Sequence, residues 1–470
     1  MVGARLRRYV FYPFISLIFA GCSSVATRQQ YYDPITADLE HQQFHQAVHK
    51  IEQAGAAGKY AGKDRLIYYL DSGIANHYAD NFAASNDKLT MAENAAEELF
   101  TRSISRAALS LLINDNLLEY AGEDYEVLYS NLIMALNHLA LDKFDDAFVE
   151  IRRANEKLEL LEQKYAGATD RLSQSPPDDT LKVNARLKYD VEKIRFTNDA
   201  FARYLSMHMY AADGRADDAL IDYNLLLDAF ESQPHIYDFD TPDLFFELGP
   251  GKAMVSVIGL VGLAPVKEAL NLRIRTDREL DLIQVLYTDG EFKDAEYDHL
   301  AFPVDIDFYF KFSMPKLVIR PSVISRIRVL SNDIFLGELQ LIENISRVAE
   351  ETFKAKKSLI YFRSLARSIV KGLVTLRLKL EIDQETEGLG EWLAKALVDV
   401  GSDITENADL RCARLLPGKI YVGDFELEPG RYDITVEFLN YAGTIIGREQ
   451  IHDYLVKPVG WNMIEVKMLK

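Results

Sequence analysis

Leu139-Ala140-Leu141-Asp142-Lys143-Phe144-Asp145-Asp146-Ala147, with Ala154 seven residues on, is the stretch on which the fold of this chain turns. Apolar residues on both sides of Asp142-Lys143 recur at spacings of three and four, so each side reads as a helix. The triplet Phe144, Ala147, Ala154 has copies elsewhere. Phe44, Ala47 and Ala54 repeat it, with His45 and Gln46 between the first two. Gly214-Arg215-Ala216-Asp217-Asp218-Ala219, followed by Tyr223 and Leu226, keeps part of it, and Phe82, Ser85 and Ala92 form a weaker copy. From about residue 35 to about residue 235 the helical period holds, and Gly and Pro are sparse until Pro176-Pro177. The copies do not keep a fixed period: Phe44 to Phe82 is 38 residues and Phe144 to Ala216 is 72. The array is therefore degenerate and carries insertions. Residues 168–185, with Ser173, Ser175 and the two prolines, read as one inserted loop.

These copies resemble tetratricopeptide repeats, in which a large residue and two small ones at this spacing let paired helices approach closely. Leu139 to Phe144 matches the helix-turn-helix approach of that repeat. The resemblance implies an α-solenoid over residues 35–235; the alternative is an irregular helical bundle.

After His235 the texture changes, and Asp240-Thr241-Pro242-Asp243 and Gly249-Pro250-Gly251 mark a boundary. Lys252 to Leu263 suits a buried strand. Phe302 to Phe312 alternates through Val304, Ile306, Phe308 and Phe310; Val318 and Ile319 open a further apolar stretch, and Arg326 to Leu330 is a further strand. Residues 340–376 and Leu389 to Val400 read as helical. The end of the chain is strongly β. Ile420, Val422, Phe425 and Leu427 precede a turn at Glu428-Pro429-Gly430-Arg431, and Tyr432, Ile434, Val436 and Phe438 follow in clean alternation. Ile445, Ile451, Met463, Ile464 and Val466 supply later strands, giving a small β-sandwich.

The first residues carry an address. Arg5, Arg7 and Arg8 precede a short apolar run from Val10 to Phe19, and Phe19-Ala20-Gly21-Cys22-Ser23-Ser24 follows. About ten apolar residues are half of what a membrane-spanning helix needs. A basic start, a short apolar core and small residues before a cut are the export pattern. Here the cut falls before Cys22, whose thiol accepts diacylglyceryl, although Phe19 stands where such sites usually carry Leu. Ser23 rather than Asp follows the cysteine, which points to the outer membrane.

The 470 residues hold 53 Lys plus Arg and 72 Asp plus Glu, a formal charge of −19. Removing residues 1–21 takes away three Arg and no acid, leaving −22. Such a surface repels nucleic-acid phosphates and anionic headgroups, so attachment rests on the lipid. Two or more acyl chains hold stably where one does not. With Cys22 acylated, Cys412 has no disulfide partner and reads as a small buried hydrophobe.

Several phrases in order carry a wider resemblance. They are Gly122-Glu123-Asp124-Tyr125-Glu126, Ala135-Leu136-Asn137, Val149 to Asn155, Gly262-Leu263-Ala264-Pro265-Val266-Lys267, and Ala408-Asp409-Leu410-Arg411 leading to Leu416-Pro417. Together they resemble an uncharacterised family of bacterial tetratricopeptide-like outer-membrane lipoproteins, over most of the mature chain. Members are often encoded near small lipoproteins related to curli-secretion and penicillin-binding-protein-activator components. Cys412 and Ala413 depart from the family's small polar residue followed by an aromatic. The resemblance implies no catalytic residue.

Few constellations carry chemistry. His41, His45 and His49, four apart, share a helix face beside the packed face of Phe44, Ala47, Ile51 and Ala54; this reads as a solvated stripe rather than a metal site. Gly249-Pro250-Gly251-Lys252 lacks the Gly and the Ser or Thr of a phosphate loop, since Phe246 and Ala253 stand there. No catalytic residue, metal site, cofactor or nucleotide is expected. The candidate partner-binding residues are Pro265 and Lys267 in one turn, Asp409 and Arg411 in another segment, and the basic stripe Arg363, Arg367 and Lys371. That stripe lies in 352–380, which also holds Lys354, Lys356, Lys357, Arg377 and Lys379 and no acid. It either fastens the two halves together or docks an anionic partner.

The expectation is a multidomain α+β chain: leader 1–21, tether 22–34, helical repeats 35–235, a mixed α/β domain 245–400 and a sandwich-like module 401–470. Its expected role is a non-enzymatic, lipid-anchored, periplasm-facing scaffold of an envelope complex that binds protein partners through the concave surface of its repeats. The alternative is a protein that binds or hydrolyses envelope glycan through its second half.

Overall fold

The computed structural model describes residues 24–106, 118–174, 196–245, 248–277, 282–287, 298–301, 309–354 and 408–470. The chain is α+β. Among the described residues, the first eight helices form four pairs: α1 (Gln29–Glu40) with α2 (Phe44–Ala56), α3 (Arg65–Tyr78) with α4 (Phe82–Arg106), α5 (Asp124–Ala140) with α6 (Phe144–Gln174), and α7 (Ala200–Ala212) with α8 (Ala216–Ser232). Helices α2, α4 and α6 start on the phenylalanine that opens a sequence copy, and α8 starts on Ala216.

One turn joins all four pairs. A residue with positive φ stands two places before each second helix: Gln42 (58°), Asp80 (57°), Asp142 (56°) and Gly214 (75°). The next N–H then returns to a carbonyl of the first helix. Gln43 donates to Asp38 at 2.7 Å, Asn81 to Asn76 at 2.9 Å, Lys143 to His138 at 2.8 Å and Arg215 to Tyr210 at 2.9 Å. This is a left-handed C-terminal cap that satisfies an otherwise orphaned carbonyl and reverses the chain. The small residues of the copies are buried, as the spacing predicts: Ala47, Ala54, Ala92, Ala147, Ala154 and Ala219. In the second pair Ser85 replaces Ala and donates to the Gly73 carbonyl at 2.7 Å. There the helices come so close that a Cβ on Gly73 would lie 2.5 Å from Leu89.

The strands form three four-stranded sheets among the described residues. The first has the order β12 (Asn462–Met468), β1 (Ala253–Leu263), β9 (Pro417–Leu427), β8 (Gln340–Glu343). The second has β11 (Ile445–Val456), β10 (Gly430–Asn440), β6 (Ile324–Ser331), β7 (Ile334–Glu338). The third has β4 (Asp298–Ala301), β3 (Leu282–Tyr287), β2 (Val266–Asp277), β5 (Tyr309–Val318). Strand β1 pairs parallel with β12, Val255 opposite Asn462, and antiparallel with β9, Ala253 opposite Leu427. All eleven residues of β1 are buried. Ala253, Val255, Val257 and Val261 pack with Ile327, Val329, Val436 and Phe438 of the second sheet. Ile258, Leu260 and Leu263 join a core with the helices, alongside Ile420 and Val422 of β9. The period-two alternation of a strand thus sends one face to each layer.

Several expectations change. The residues read as a tether are packed: Ala26 and Tyr32 are fully buried, and α1 takes in Pro34. Proline suggested a boundary there, yet the hydrogen bond it forgoes is to Gln30, which is exposed to water. The loop expected at 168–185 is helical through Gln174 in α6, and 175–185 lie outside the described residues. The helix expected from 340 is preceded by β8; helix α9 covers 345–354, and the remainder of that stretch, like Leu389 to Val400, lies outside the described residues. Of the strand expected over 302–312, residues 309–312 belong to β5 and 302–308 lie outside the described residues. Val318, read as opening a further apolar stretch, is the last residue of β5. Pro265 does not make a reversal within one sheet, because β1 and β2 lie in different sheets. Glu428-Pro429 likewise passes from the first sheet to the second. The expected division at 400/401 runs through both sheets, since β9 and β12 flank β1 and β10 pairs with β6. His41 follows α1, so only His45 and His49 of the stripe lie on α2, both exposed.

Ala147 tests the pairing. Ala147→Leu overfills the buried face of α6 and is expected to cost about 1–3 kcal/mol in urea unfolding followed by circular dichroism. Val149→Ala, at an exposed position of the same helix, is expected to stay within about 0.5 kcal/mol of the parent.

Candidate functional site

Lys267 and the neighbouring pair Asp409 and Arg411, from distant parts of the sequence, meet around Tyr120. The Tyr120 N–H donates to Lys63 O at 2.9 Å, fixing the approach to α5. Glu123 caps α5 and forms a reciprocal box with Glu126, whose Oε2 accepts the Glu123 N–H at 2.9 Å. The same oxygen accepts Tyr120 OH at 2.8 Å, and Oε1 accepts Ala413 N–H at 2.7 Å. From β2, Lys267 Nζ donates to Glu123 Oε1 at 2.6 Å. From the segment before β9, Arg411 grips Asp409 with Nε and Nη2, both at 2.8 Å, and donates Nη1 to Asp64 Oδ1 at 2.8 Å and to Leu118 O at 2.9 Å. Its guanidinium lies 5.1 Å from the Tyr120 ring centroid and Lys267 Nζ lies 5.8 Å from it.

This cluster is internal. Lys267 is 6% exposed and Arg411 2%, and Pro265 is buried. Burial opposes the Lys267 charge, but Glu123 and Asp409 outweigh it and raise the pKa, so the ammonium persists. Burial raises the Cys412 thiol, which stays protonated at neutral pH. Burial, then the neighbouring Glu123 charge, push the Glu126 carboxyl up to about 7. The group holds helices and strands together. The candidates Lys267, Pro265 and Arg411 therefore do not present a docking surface, and Asp409 is held by Arg411. Their prominence in the sequence reflects an internal joint.

Other buried polar groups occupy the same face. Asp424 on β9 accepts Tyr204 OH at 2.8 Å and Ser256 OH at 2.6 Å, and lies 3.0 Å from His208 Nε2 on α7. Trp461 Nε1 donates to Ser256 Oγ at 2.8 Å and stacks on His208. Ser, His and Asp are the residue types of a hydrolase triad, but here the carboxylate stands between the other two. The serine proton points to Asp424 and not to an imidazole base, so the geometry is that of a clamp. His77 on α3 holds Asn137 at 2.7 Å and Glu465 of β12 at 3.1 Å. Burial opposes the Glu465 charge, yet His77 and Lys467 bring its pKa down to about 2. Lys467 also meets Asp80 and the carbonyls of His77 and Tyr78. Asp71 accepts Tyr32 OH at 2.6 Å and Tyr60 OH at 2.9 Å, and burial lifts its pKa to about 6. Asp199, the N-cap of α7, accepts Tyr129 OH at 2.7 Å, while Tyr237 donates to Glu343 of β8 at 2.8 Å. Single residues such as Ser256 and His208 carried no spacing signal, because their partners come from other elements.

The inner helices α1, α3, α5 and α7 supply most of these groups. From α3, α5 and α7 they reach the strands: His77 meets Glu465, Glu123 meets Lys267 and Tyr204 meets Asp424. Gly249 N–H donates to Glu426 at 3.0 Å and Lys252 pairs with Glu428 at 3.3 Å. Among the described residues no group of three or more His, Cys, Asp or Glu is placed to hold a metal ion. Cys22, Arg363, Arg367 and Lys371 lie outside the described residues.

Arg411→Ala strands Asp64 in the interior and is expected to cost about 3–5 kcal/mol in denaturant unfolding; a residue that only contacted a partner would leave stability unchanged. Glu126 and Asp71 have raised pKa values, so the stability they contribute is full below about pH 4 and is lost as pH rises to about 7. Glu465 acts oppositely: its contribution is present above about 4.5 and lost as pH falls towards 2. Glu126→Gln is expected to flatten the decline between pH 4.5 and 7, measured as urea midpoints across pH, even though the amide loses one acceptor. Compared with known proteins, the chain matches no family model, no curated protein and no solved structure.

Proposed function

We propose that this chain is a lipid-anchored scaffold of the bacterial envelope, held at the outer membrane through Cys22 and binding protein partners without catalysing a reaction. The basic start, short apolar run and Ala20-Gly21-Cys22 support the anchor. Among the described residues no helix is long and apolar enough to cross a membrane. Four helix pairs with one turn and one small-residue spacing support a tetratricopeptide-like array. Two sheets facing across a shared apolar core support a sandwich-like second half.

The observation that carries the binding role is the outward face of α8. Leu220, Ile221 and Leu227 are exposed on this one helix, 48%, 57% and 37%, whereas the inner helices are spent on the strands. Apolar side chains grouped on a helix suit a partner helix laid alongside. Partner contacts therefore belong to the outer helices.

Crosslinking in intact cells followed by purification is expected to recover a stoichiometric protein partner, and Leu220→Glu with Leu227→Glu to lose it while leaving the fold intact. Binding to purified cell-wall sacculi without a protein partner would instead favour a glycan-directed role. Cys22→Ala is expected to move the folded protein from the membrane fraction to the soluble fraction.

A further inference from the structure

The fold starts almost at the lipid site. One residue, Ser23, separates Cys22 from Ser24, and Ser24 is already part of the body. Its Oγ accepts Ala26 N–H at 3.3 Å and Ala61 N–H at 3.2 Å. Val25 N–H donates to Lys59 O at 3.1 Å, and Val25 and Ala26 are buried. The strand-like reach of two residues is at most about 7 Å. The polar headgroup layer on each side of a bilayer is itself roughly 5–7 Å thick. An acylated Cys22 in that layer therefore has no slack with which to hold the body away from it.

Resting on the reading of Cys22 as the lipid site, we propose that the α2–α3 connection, residues 57–62, together with Arg28, is a membrane-contact face that lies against the lipid headgroups. Ala57, Gly58, Lys59 and Gly62 are exposed there, as is Arg28 at the start of α1. Arg28 and Lys59 bring cations to the headgroup phosphates in a chain whose mature charge is strongly negative. The other end of α1 and α2 points away. It holds Gln42, which donates to Lys467 O at 3.2 Å, and the exposed Asp80, which also meets Lys467. Helix α2 has 13 residues, so the two ends stand about 20 Å apart. The acidic turn end thus faces the aqueous side, and any partner of the second half meets the protein within a body's depth of the membrane.

Two exposed positions at opposite ends of α2 test this. Ala57→Cys and Gln43→Cys each give one labelling site, because Cys412 is buried and Cys22 carries the acyl groups. Each acylated full-length variant is labelled with a fluorophore and reconstituted in phosphatidylethanolamine–phosphatidylglycerol vesicles containing a headgroup-nitroxide lipid. Quenching is expected to be severalfold stronger at Ala57→Cys than at Gln43→Cys. A Gly-Ser insert of about 15 residues between Ser23 and Ser24, with an r.m.s. span of roughly 20 Å, is expected to remove the difference while the protein stays on the vesicles. Equal quenching at both sites, with the acyl mass present on Cys22, overturns the contact face and leaves the anchor standing. Absence of the acyl mass together with loss of vesicle binding overturns the anchor and the face with it.

Discussion

The structure depends on covering both faces of β1. An eleven-residue strand with no exposed position cannot stand at the edge of a half-solvated sheet. One face takes the second sheet, and the other takes the helices. The helical half is thereby a layer of the same core, and not an appended module: Ile258 and Leu260 share a cluster with Leu66, Leu136 and Leu205. Helix α9 enters the same core through Ile345, Val348 and Ala349.

A helix layer pressed on a sheet traps polar groups from both sides, and each needs a partner inside. That requirement accounts for Asp424 beneath Tyr204, Glu465 beside His77, and Arg411 between Asp64 and Asp409. Buried ion pairs add little net stability over an apolar packing of the same shape, but breaking one is costly. Their effect here is on register. A helix shifted by one turn would leave Glu123 without Lys267 and Asp424 without His208.

Local physics was legible in the sequence, and long-range pairing was not. The spacing of Phe and two small residues marks the starts of α2, α4 and α6, because helix faces repeat over short distances. Alternation at Tyr432, Ile434, Val436 and Phe438 marks β10 for the same reason. Neither signal states which strands pair. The passages at Pro265 and Glu428-Pro429 look like hairpin turns, yet each switches sheets, since the register is set by cores built from distant residues. The charged candidates show the same limit. Lys267 and Arg411 were conspicuous as charges, but their partners Glu123 and Asp64 lie far off in sequence, so burial was invisible.

Strand β12 gives the architecture an order in time. Among the described residues it is the last strand and pairs parallel with β1, the first, while β9 closes the other side of β1. A chain synthesised from its N-terminus therefore has the helix pairs complete, with their inward carboxylates and imidazoles waiting, before the wall they rest on exists. Non-local closure of this kind is slow relative to helix pairing. The helical half must persist for that interval with an apolar and charged face bare. That interval is a natural point of entry for a holding chaperone, and for proteolysis when the final residues are missing.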